Sequence, residues 1–329
     1  MSNKQSDYEK YLASMHAKLI TPDEIIKSVV KEGTGKEYTT KEKVIAGEAN
    51  EVYDITLSDT SHVILRISRS GHPNFLQEKW ALEQVKKVGV PIPEILLIKY
   101  ITVDEENLSF CLMKKVDGEP LERGAIDFNA LSENERKAYI VKAGEILSKI
   151  HSIKTQGYGW IIGEGKAEYD TSDKIIDEIL GRKERLYEIT NSENITRQQI
   201  DEALSKVDQF RKTYSETIPH LNHGDYGHKH LMVKDKKIVA ILDWGGVRSD
   251  SPIYEFACWD YWFGEYIPTE WLKEGYQNKS LFDKDFDATL HTFRLMKGIE
   301  IIDWYDSQKY KKAVEKATEK LTKDLNYFK

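Results

Sequence analysis

The sequence predicts an α+β protein of two lobes, with an antiparallel sheet in the first lobe and mainly helices in the second. Strand-like apolar runs are concentrated before residue 117, whereas helical patterns dominate from residue 134 onward. A chain of 329 residues is also longer than one minimal domain. The pattern changes at VDGEP, residues 116–120. We therefore expect lobes at residues 1–116 and 117–329.

The first lobe is predicted to contain two kinds of element. One or two helices are expected over residues 7–32, with an interruption at Thr21-Pro22 because proline cannot continue a helix. Another helix is expected over 72–89, since Gly89 and the prolines that follow are stop signals. Strand-like runs of β-branched and aromatic residues lie at 43–45, 52–57, 61–68, 95–102 and 108–116.

The second lobe is predicted to be helical around one short hairpin. Helical patterns cover residues 134–151, 173–189 and 196–214, and they return from 286 to the end. The runs LMV and IVAIL, joined by KDKK, predict a hairpin over residues 231–242.

Composition restricts the function. The formal charge of -7 and the pI near 5.8 argue against nucleic acid as a partner. Two cysteines, Cys111 and Cys258, are too few for a disulfide framework or a thiolate zinc cluster. The N-terminal residues lack the apolar core of a signal peptide, and no apolar run is long enough for a membrane span. We expect a cytoplasmic monomer or homodimer.

A possible buried ion pair stands out in the first lobe. On a helical wheel, Glu78 falls inside the apolar arc of the 72–89 helix, where a carboxylate needs a cationic partner. Arg66 lies in the preceding strand, on the face opposite Val63 and Leu65. An Arg66–Glu78 pair could hold nucleotide phosphates. The alternative is that Glu78 extends into solvent and Arg66 lies on an exposed edge.

The segment GEANEVY, residues 47–53, separates two strand-like runs. It could be a phosphate-covering loop in which Gly47 permits close backbone approach. The segment is not a G-x-G-x-x-G motif, and a plain hairpin turn is the alternative on local grounds.

The stretch HGDYGHKHLMVKDKKIVAILDW, residues 223–244, concentrates chemistry-bearing side chains. A hairpin turn centred at residues 235–236 places His230 opposite Ile241, with Asp243 as its diagonal neighbour at a Cβ distance of about 7 Å. Asp225, five residues before His230, can face the same opening. One base-like carboxylate and two candidate metal ligands are what phosphoryl transfer requires.

Three of the nine histidines lie in this stretch, so a zinc or manganese hydrolase is a competing interpretation. It would use His223, Asp225, His228, His230 and Asp243. We expect instead that His223 braces the loop through hydrogen bonds and that His228 lies on the solvent side of the loop.

The same stretch resembles the aminoglycoside phosphotransferase family, which has a bilobal protein-kinase-like fold. The family pattern runs His-Gly-Asp, an asparagine five residues on, an Asp-Trp-Gly-type strand end and a downstream Asp-Pro-x-Tyr-(Asp/Glu). Here the matching segments are HGDYGHKHLMV and IVAILDWGGVRSDSPIYEFA. The region around DSPIYEFACWDYW is most similar to the hygromycin kinase branch. The resemblance implies transfer of the γ-phosphate of ATP, or alternatively of GTP, to a hydroxyl of a small molecule. The expected acceptor is an aminoglycoside-like (hygromycin-like) antibiotic, and another small alcohol or a macrolide is the alternative.

The resemblance also implies roles for single residues. It makes Asp225 the catalytic base, Asp243 the principal Mg²⁺ ligand, His230 a second metal ligand and Asp250 a fold-supporting residue. It assigns nucleotide binding to Gly47, Asn50, Arg66, Glu78, Lys114 and Val116, with the last two on the hinge that would hold adenine.

Two departures from the family pattern concern the expected metal and phosphate ligands. His230 stands where the family has asparagine, as it does in the macrolide kinase branch. Because magnesium prefers oxygen ligands, His230 could favour Mn²⁺, and a nucleotide-binding pseudokinase is a further alternative. Arg66 stands where the third strand usually has lysine, and a guanidinium still binds phosphate in bidentate fashion.

The region from Asp250 to Glu300 suggests the acceptor. It contains ten acidic and five basic residues and is rich in aromatic rings. Carboxylates beside rings suit a cationic or sugar-like alcohol, through charge and cation–π contacts. Asp260 and Glu265 are the candidate acceptor contacts, although most of the rings are expected to be helix core.

Overall fold

The computed structural model describes residues 7–45, 50–69, 75–103, 106–122, 126–189 and 195–329. The first part of the chain contains three helices and five strands in these ranges. They are α1 (Asp7–His16), α2 (Asp23–Thr34), β1 (Tyr38–Val44), β2 (Glu51–Leu57), β3 (His62–Ser68), α3 (Phe75–Lys87), β4 (Ile95–Val103) and β5 (Glu106–Lys114).

The five strands form one antiparallel sheet in the order β1-β2-β3-β5-β4. Alternation along β3 directs Val63 and Leu65 to one face, where α2 covers them with Ile26 and Val29. Arg66 points to the opposite face and lies over the ring of Phe75 on α3. The predicted alternation of β3 is therefore confirmed.

The rest of the chain is mainly helical, with two small sheets. Its elements are β6 (Glu119–Pro120), α4 (Glu133–Ile150), β7 (Tyr158–Gly163), β8 (Lys166–Tyr169), α5 (Ser172–Gly181), α6 (Lys183–Ile189), α7 (Arg197–Gln209), α8 (Arg211–Ser215), β9 (His220–Asn222), β10 (Leu231–Lys234), β11 (Lys237–Ile241), β12 (Arg248–Asp250), α9 (Pro252–Phe263), α10 (Thr269–Gly275), α11 (Phe286–Ser307) and α12 (Lys311–Tyr327). The sheets have the orders β11-β10-β6 and β8-β7-β12-β9.

Capping residues explain where several of these helices begin. Ser132 and Thr196 form capping boxes with Glu135 and Gln199, which start α4 and α7. Pro252 at the first turn of α9 follows a serine whose hydroxyl accepts the Ile253 N–H. The helices enclose one large core that includes Trp244 and Trp259.

The predicted elements are present, but several differ in extent or are divided. The first strand covers Tyr38–Val44 and not only residues 43–45, and residues 72–74 of the expected 72–89 helix lie outside the described residues. The single helices expected over 173–189 and 196–214 are each divided, at Arg182 and at Phe210. The β7–β8 hairpin was not predicted, because its strands are short and interrupted by glycine. The five-stranded sheet ends at Lys114 and β6 begins at Glu119, but the lobe boundary between residues 116 and 117 stays a prediction.

The two ends of the chain contact each other. The ring of Tyr11 on α1 stacks on that of Tyr310, which precedes α12, with centroids 4.9 Å apart and planes at 10°. The α1–α2 segment is also tied to the first sheet, because Lys43 Nζ donates to the His16 carbonyl at 2.9 Å. No helix among the described residues is long and apolar enough to cross a membrane.

Candidate active site

Arg66 and Glu78 form the ion pair that the helical wheel predicted. Arg66 Nη1 donates to Glu78 Oε1, and the two side chains are only 10% and 3% exposed. Burial raises the pKa of Glu78, although Arg66 and the N–H of Trp244 act against the rise. The alternative in which Glu78 extends into solvent is therefore wrong. Removing one partner of a buried ion pair of this kind strongly destabilises the folded protein, because the other charge is left buried and unpaired.

The guanidinium also connects the first sheet to the end of β11. Arg66 Nη2 lies 3.4 Å from Asp243 Oδ1. Asp243 has a left-handed backbone, with φ 63° and ψ 62°, a conformation that aspartate tolerates better than most residues. Burial would raise the pKa of Asp243, but His230 and Arg66 outweigh it and lower the pKa. Asp243 is thus an ionised carboxylate directed at the Arg66–Glu78 pair.

Asp225 is held by two donors from one short turn. Residues 228–230 form a single 3-10 turn that returns the side chains of Lys229 and His230 toward Asp225. Lys229 Nζ and His230 Nε2 each lie 3.0 Å from Asp225 Oδ2. No described residue donates to Oδ1. Despite burial, these two partners hold the pKa of Asp225 well below its usual range.

The hairpin that follows was predicted with the wrong register. Its turn lies at Asp235–Lys236 as expected, and both residues have positive φ. A β-bulge between Met232 and Val233 adds one residue to β11, however, so Leu231 pairs with Ile241 and His230 accepts the N–H of Leu242. His230 is therefore not opposite Ile241, but its Nε2 still lies 3.9 Å from Asp243 Oδ2.

A buried glutamate on α9 fixes the loop that carries Asp225. Glu255 is fully buried and accepts the N–H groups of Gly224 at 2.9 Å and Tyr226 at 3.1 Å. Burial raises the pKa of Glu255 to about 7, against the effect of these N–H groups. Sequence reasoning missed this role, although Glu255 ends the Tyr-(Asp/Glu) part of the motif.

Gly224 allows the Asp225 loop to touch the Asp243 loop. Its φ is +83°, and a Cβ at this position would lie 1.8 Å from the carbonyl oxygen of Gly246. Only glycine adopts this conformation with that contact. The spacing of Asp225 and Asp243 thus depends on main-chain packing between their loops.

His223 is the loop brace that the sequence predicted. Its Nε2 donates to the Leu242 carbonyl at 2.9 Å, and its Nδ1 accepts the N–H of Asp225 at 3.3 Å. Burial lowers the pKa of His223 to about 4, so both bonds are made by the neutral ring. Both ring nitrogens face protein groups, which argues against His223 as a metal ligand.

The prediction that His228 is exposed to solvent is wrong. His228 was expected on the solvent side of the loop, but it is 2% exposed and packs between the rings of Phe128 and Phe263, at centroid distances of 4.8 and 5.0 Å. Its Nε2 lies 3.8 Å from Glu122 Oε1. The aromatic residues on both sides of His228 explain why a polar loop residue is buried.

Asp250 supports the fold, in the role expected for it. It is fully buried and accepts from the Tyr214 hydroxyl at 2.8 Å, while Arg248 Nη2 lies 2.8 Å from its second oxygen. Burial raises its pKa.

Three of the predicted residues could hold a divalent cation. Asp225, His230 and Asp243 each offer one ligand atom, and these atoms lie within 4.8 Å of one another. Two carboxylates suit Mg²⁺ or Mn²⁺, and the imidazole suits manganese better than magnesium. In the hydrogen bond to Asp225, His230 Nε2 carries the proton, so this nitrogen cannot ligate a metal at the same time. The donor set fits a cation held mainly by the carboxylates.

The remaining nucleotide candidates that the structure describes lie around the first sheet. Gly47 is outside the described residues. Asn50 is buried, and no described residue donates to its side-chain oxygen. The Lys114 N–H is engaged by the Glu94 carbonyl at 2.9 Å, whereas the Val116 N–H has no partner among the described residues. Of these two residues, Val116 is therefore the one with an available N–H donor among the described contacts.

The two acceptor candidates already have partners. Asp260 accepts from Thr269 and Arg294, and Glu265 lies 2.7 Å from Lys323 Nζ. The Asp260 side chain is 24% exposed and that of Glu265 is 63% exposed. Glu265 is the more accessible of the two, and the acceptor role of both stays a prediction.

The site combines an ionised carboxylate at Asp225, a facing carboxylate at Asp243 and a buried Arg–Glu pair between β3 and α3. This arrangement is typical of phosphotransferases of protein-kinase-like fold. The chain belongs to the phosphotransferase enzyme family: the family model matches residues 42–290. The predicted fold class is confirmed by solved structures. A thermostable mutant of aminoglycoside phosphotransferase APH(4)-Ia is 18% identical, with a TM-score of 0.73 over 92% of this chain and 98% of that one.

Two further relatives extend the comparison. Hygromycin-B 4-O-kinase of Escherichia coli is 22% identical over 219 residues, 66% of this chain and 60% of that protein. The chain thus spans only about 60% of the length of this relative. Wild-type aminoglycoside 2'-phosphotransferase-IIIa, solved as its GDP complex, is 14% identical, with a TM-score of 0.66 over 94% of this chain and 100% of that one.

Proposed function

We propose that the protein transfers the γ-phosphoryl group of ATP to a hydroxyl of a small cationic, aminoglycoside-like alcohol. The observation that carries this proposal is the state of Asp225. Its Oδ2 is held by two donors at 3.0 Å, and its Oδ1 is free of described donors. The free oxygen can accept a hydrogen bond from an acceptor hydroxyl, which a catalytic base in this chemistry must do.

In the proposed step, the acceptor hydroxyl donates to Asp225 Oδ1 and its oxygen attacks the γ-phosphorus. The bond from phosphorus to the β–γ bridging oxygen breaks, and its electron pair leaves with ADP. The hydroxyl proton passes to Asp225. Because the transition state is loose, Asp225 mainly orients the hydroxyl, and a carboxylate of low pKa is adequate for that task.

Nucleotide binding is proposed on the first sheet. The Arg66 guanidinium is fixed by Glu78 and directed toward Asp243, so it would hold phosphate oxygens in that gap. The free N–H of Val116 would bind the adenine edge. Asp243 would be the principal ligand of Mg²⁺ or Mn²⁺, with His230 as a second ligand once its Nε2 gives up the bond to Asp225, and the ion would neutralise the phosphate charge when bound. GTP is the alternative nucleotide.

The acceptor class rests on charge and on the names of the relatives. The chain carries a net charge of -7, and the exposed Glu265 lies in its acidic, aromatic region. A solved complex of an APH(4)-Ia mutant contains ADP and hygromycin B, which supports a hygromycin-like acceptor here. We propose Asp260 and Glu265 as acceptor contacts and residues 117–329 as the acceptor-binding lobe.

The test is a phosphorylation screen with ATP and either metal. Hygromycin B, other aminoglycosides, macrolides and small neutral alcohols are offered in turn, and products are identified by the mass of an added phosphoryl group. We expect a cationic acceptor whose KM rises with ionic strength, because its contacts with exposed carboxylates are screened over about 10 Å at 0.1 M salt. Efficient use of a neutral alcohol alone, without a salt effect, would reject the acceptor class. Nucleotide binding without turnover on any acceptor would instead indicate a pseudokinase.

A further inference from the structure

Lys229 is a charged residue of the loop that carries Asp225, and beyond its contact with Asp225 it has no part in the proposed reaction. Its ammonium lies 3.0 Å from Asp225 Oδ2, and its side chain is 35% exposed. Among the described residues, Asp225 is the only carboxylate within ion-pair distance of it. The ammonium is thus at the edge of the site, with donors left for a further partner.

The pair with Asp225 does not by itself explain a cation at this position. The nearby Lys229 ammonium weakens Asp225 as a base, because a cation stabilises the ionised carboxylate. His230 already supplies a second donor to the same oxygen at 3.0 Å, so orientation of the carboxylate does not require Lys229. The positive charge of Lys229 is therefore better explained by a second, anionic partner that enters the site. In the proposed reaction, that anionic partner is the transferred phosphoryl group.

The distribution of charged side chains around the site leaves Lys229 available for an anionic partner. Asp225, Asp243 and Glu78 are acidic, whereas the basic groups are Arg66 and Lys229. Arg66 is engaged on both sides, by Glu78 and by Asp243 at 3.4 Å. Lys229 is the described cation on the Asp225 side, where the hydroxyl attacks in the proposed reaction.

We propose that Lys229 is a catalytic residue whose ammonium donates to a non-bridging oxygen of the phosphoryl group during transfer. This inference rests on the proposed function and extends it by one residue. Lys229 stays protonated throughout and bridges Asp225 Oδ2 and the phosphoryl oxygen, while the acceptor proton goes to Asp225 Oδ1. A fixed donor at such an oxygen stabilises the charge of the transition state more than that of the ground state.

The competing explanation is an ordinary surface ion pair. A partly exposed Lys–Asp pair contributes little to stability and implies no function. The two explanations differ in what they predict for a transition-state analogue. A surface pair has no reason to respond to ADP with aluminium fluoride, which mimics the planar phosphoryl group.

The experiment compares Lys229→Met, which removes the charge, with Lys229→Arg, which keeps it. Lys142→Met is the matched control, because Lys142 forms an exposed pair with Glu145 on α4. For each full-length protein, kcat, the two KM values, thermal unfolding, and the affinities for ADP and for ADP with aluminium fluoride and acceptor are measured.

For Lys229→Met we expect kcat to fall roughly 10²-fold, the scale of one lost transition-state donor, with the KM for ATP nearly unchanged. Affinity for the aluminium fluoride complex should fall by a similar factor while affinity for ADP stays the same. Lys229→Arg should recover much of both losses, and Lys142→Met should resemble the parent protein.

Two results would overturn the proposal. One is a Lys229→Met protein with unchanged kcat and unchanged affinity for the analogue. The other is an equal loss of affinity for ADP and for the analogue in both Lys229 variants, together with earlier unfolding, which would make the role structural. If Asp225→Asn is inactive while Lys229→Met is fully active, only the role of Lys229 fails; if Asp225→Asn is active, the proposed function itself fails.

Discussion

The contact between Gly224 and Gly246 allows a quantitative test of the site geometry. In Gly224→Ala, the new Cβ would lie 1.8 Å from the Gly246 oxygen, and the loops must separate by about 1.2 Å to reach the 3.0 Å that real contacts require. The left-handed conformation costs about 1–2 kcal/mol for alanine, and overpacking costs about 1–3 kcal/mol more. Asp225 would move away from Asp243 by a similar distance. A misplacement of about 1 Å typically lowers kcat roughly 10²-fold.

The assay combines kcat with the free energy of unfolding in urea. Gly35→Ala is the control, because Gly35 also has a positive φ, of +71°, but a Cβ there meets nothing within 4 Å. We expect the control to lose about 1–2 kcal/mol of stability and no activity. Gly224→Ala should lose more stability and most of its kcat. If Gly224→Ala behaves like the control in both measurements, main-chain packing does not set the spacing of the two carboxylates.

Three other predictions concern single side chains. Asp225→Asn should bind ATP normally but lose roughly 10²–10⁴ of its kcat, and near-parental turnover would remove Asp225 from the mechanism. If His230 gives up its bond to Asp225 and ligates the metal when a cation binds, His230→Asn should shift metal preference from Mn²⁺ toward Mg²⁺, as measured by metal titration of nucleotide binding. The same preference in both proteins would leave His230 only its hydrogen bond to Asp225. Glu255→Gln tests a pH effect. Because folding raises the pKa of Glu255 from 4.5 to about 7, its contribution to stability is complete below pH 4.5 and is lost as pH rises through about 7. The unfolding free energy of the parental protein minus that of Glu255→Gln should therefore be about 3 kcal/mol larger at pH 4.5 than at pH 8. A difference that does not change with pH would contradict the raised pKa of Glu255.

Periodicity predicted the parts of the site that lie on regular elements. The wheel position of Glu78 and the strand alternation of Arg66 indicated that the two could pair, because both follow from fixed helical and strand geometry, and the structure selects the pair over the solvent-exposed alternative. The hairpin turn at residues 235–236 was also predictable, since the apolar runs on both sides define it. These predictions needed only local sequence.

Features that depend on tertiary packing were not predicted. The bulge in β11 changed the partner of His230, and no local pattern indicated the extra residue. His228 was expected in solvent because its neighbours in sequence are polar, but Phe128 and Phe263 come from distant segments. Glu255 binds main-chain N–H groups about thirty residues away, a role that only the folded chain reveals.

The stack of Tyr11 on Tyr310 joins two segments that both lie outside the family match at residues 42–290. The segment that matches the family model is therefore shorter than the unit that folds. A fragment limited to residues 42–290 would lose α2 and expose the sheet face that Ile26, Val29 and Val30 cover. It would also lose α12, whose Leu321 and Leu325 belong to the main core. We expect such a fragment to aggregate on expression, so the boundaries of recombinant versions should be set by packing and not by sequence similarity.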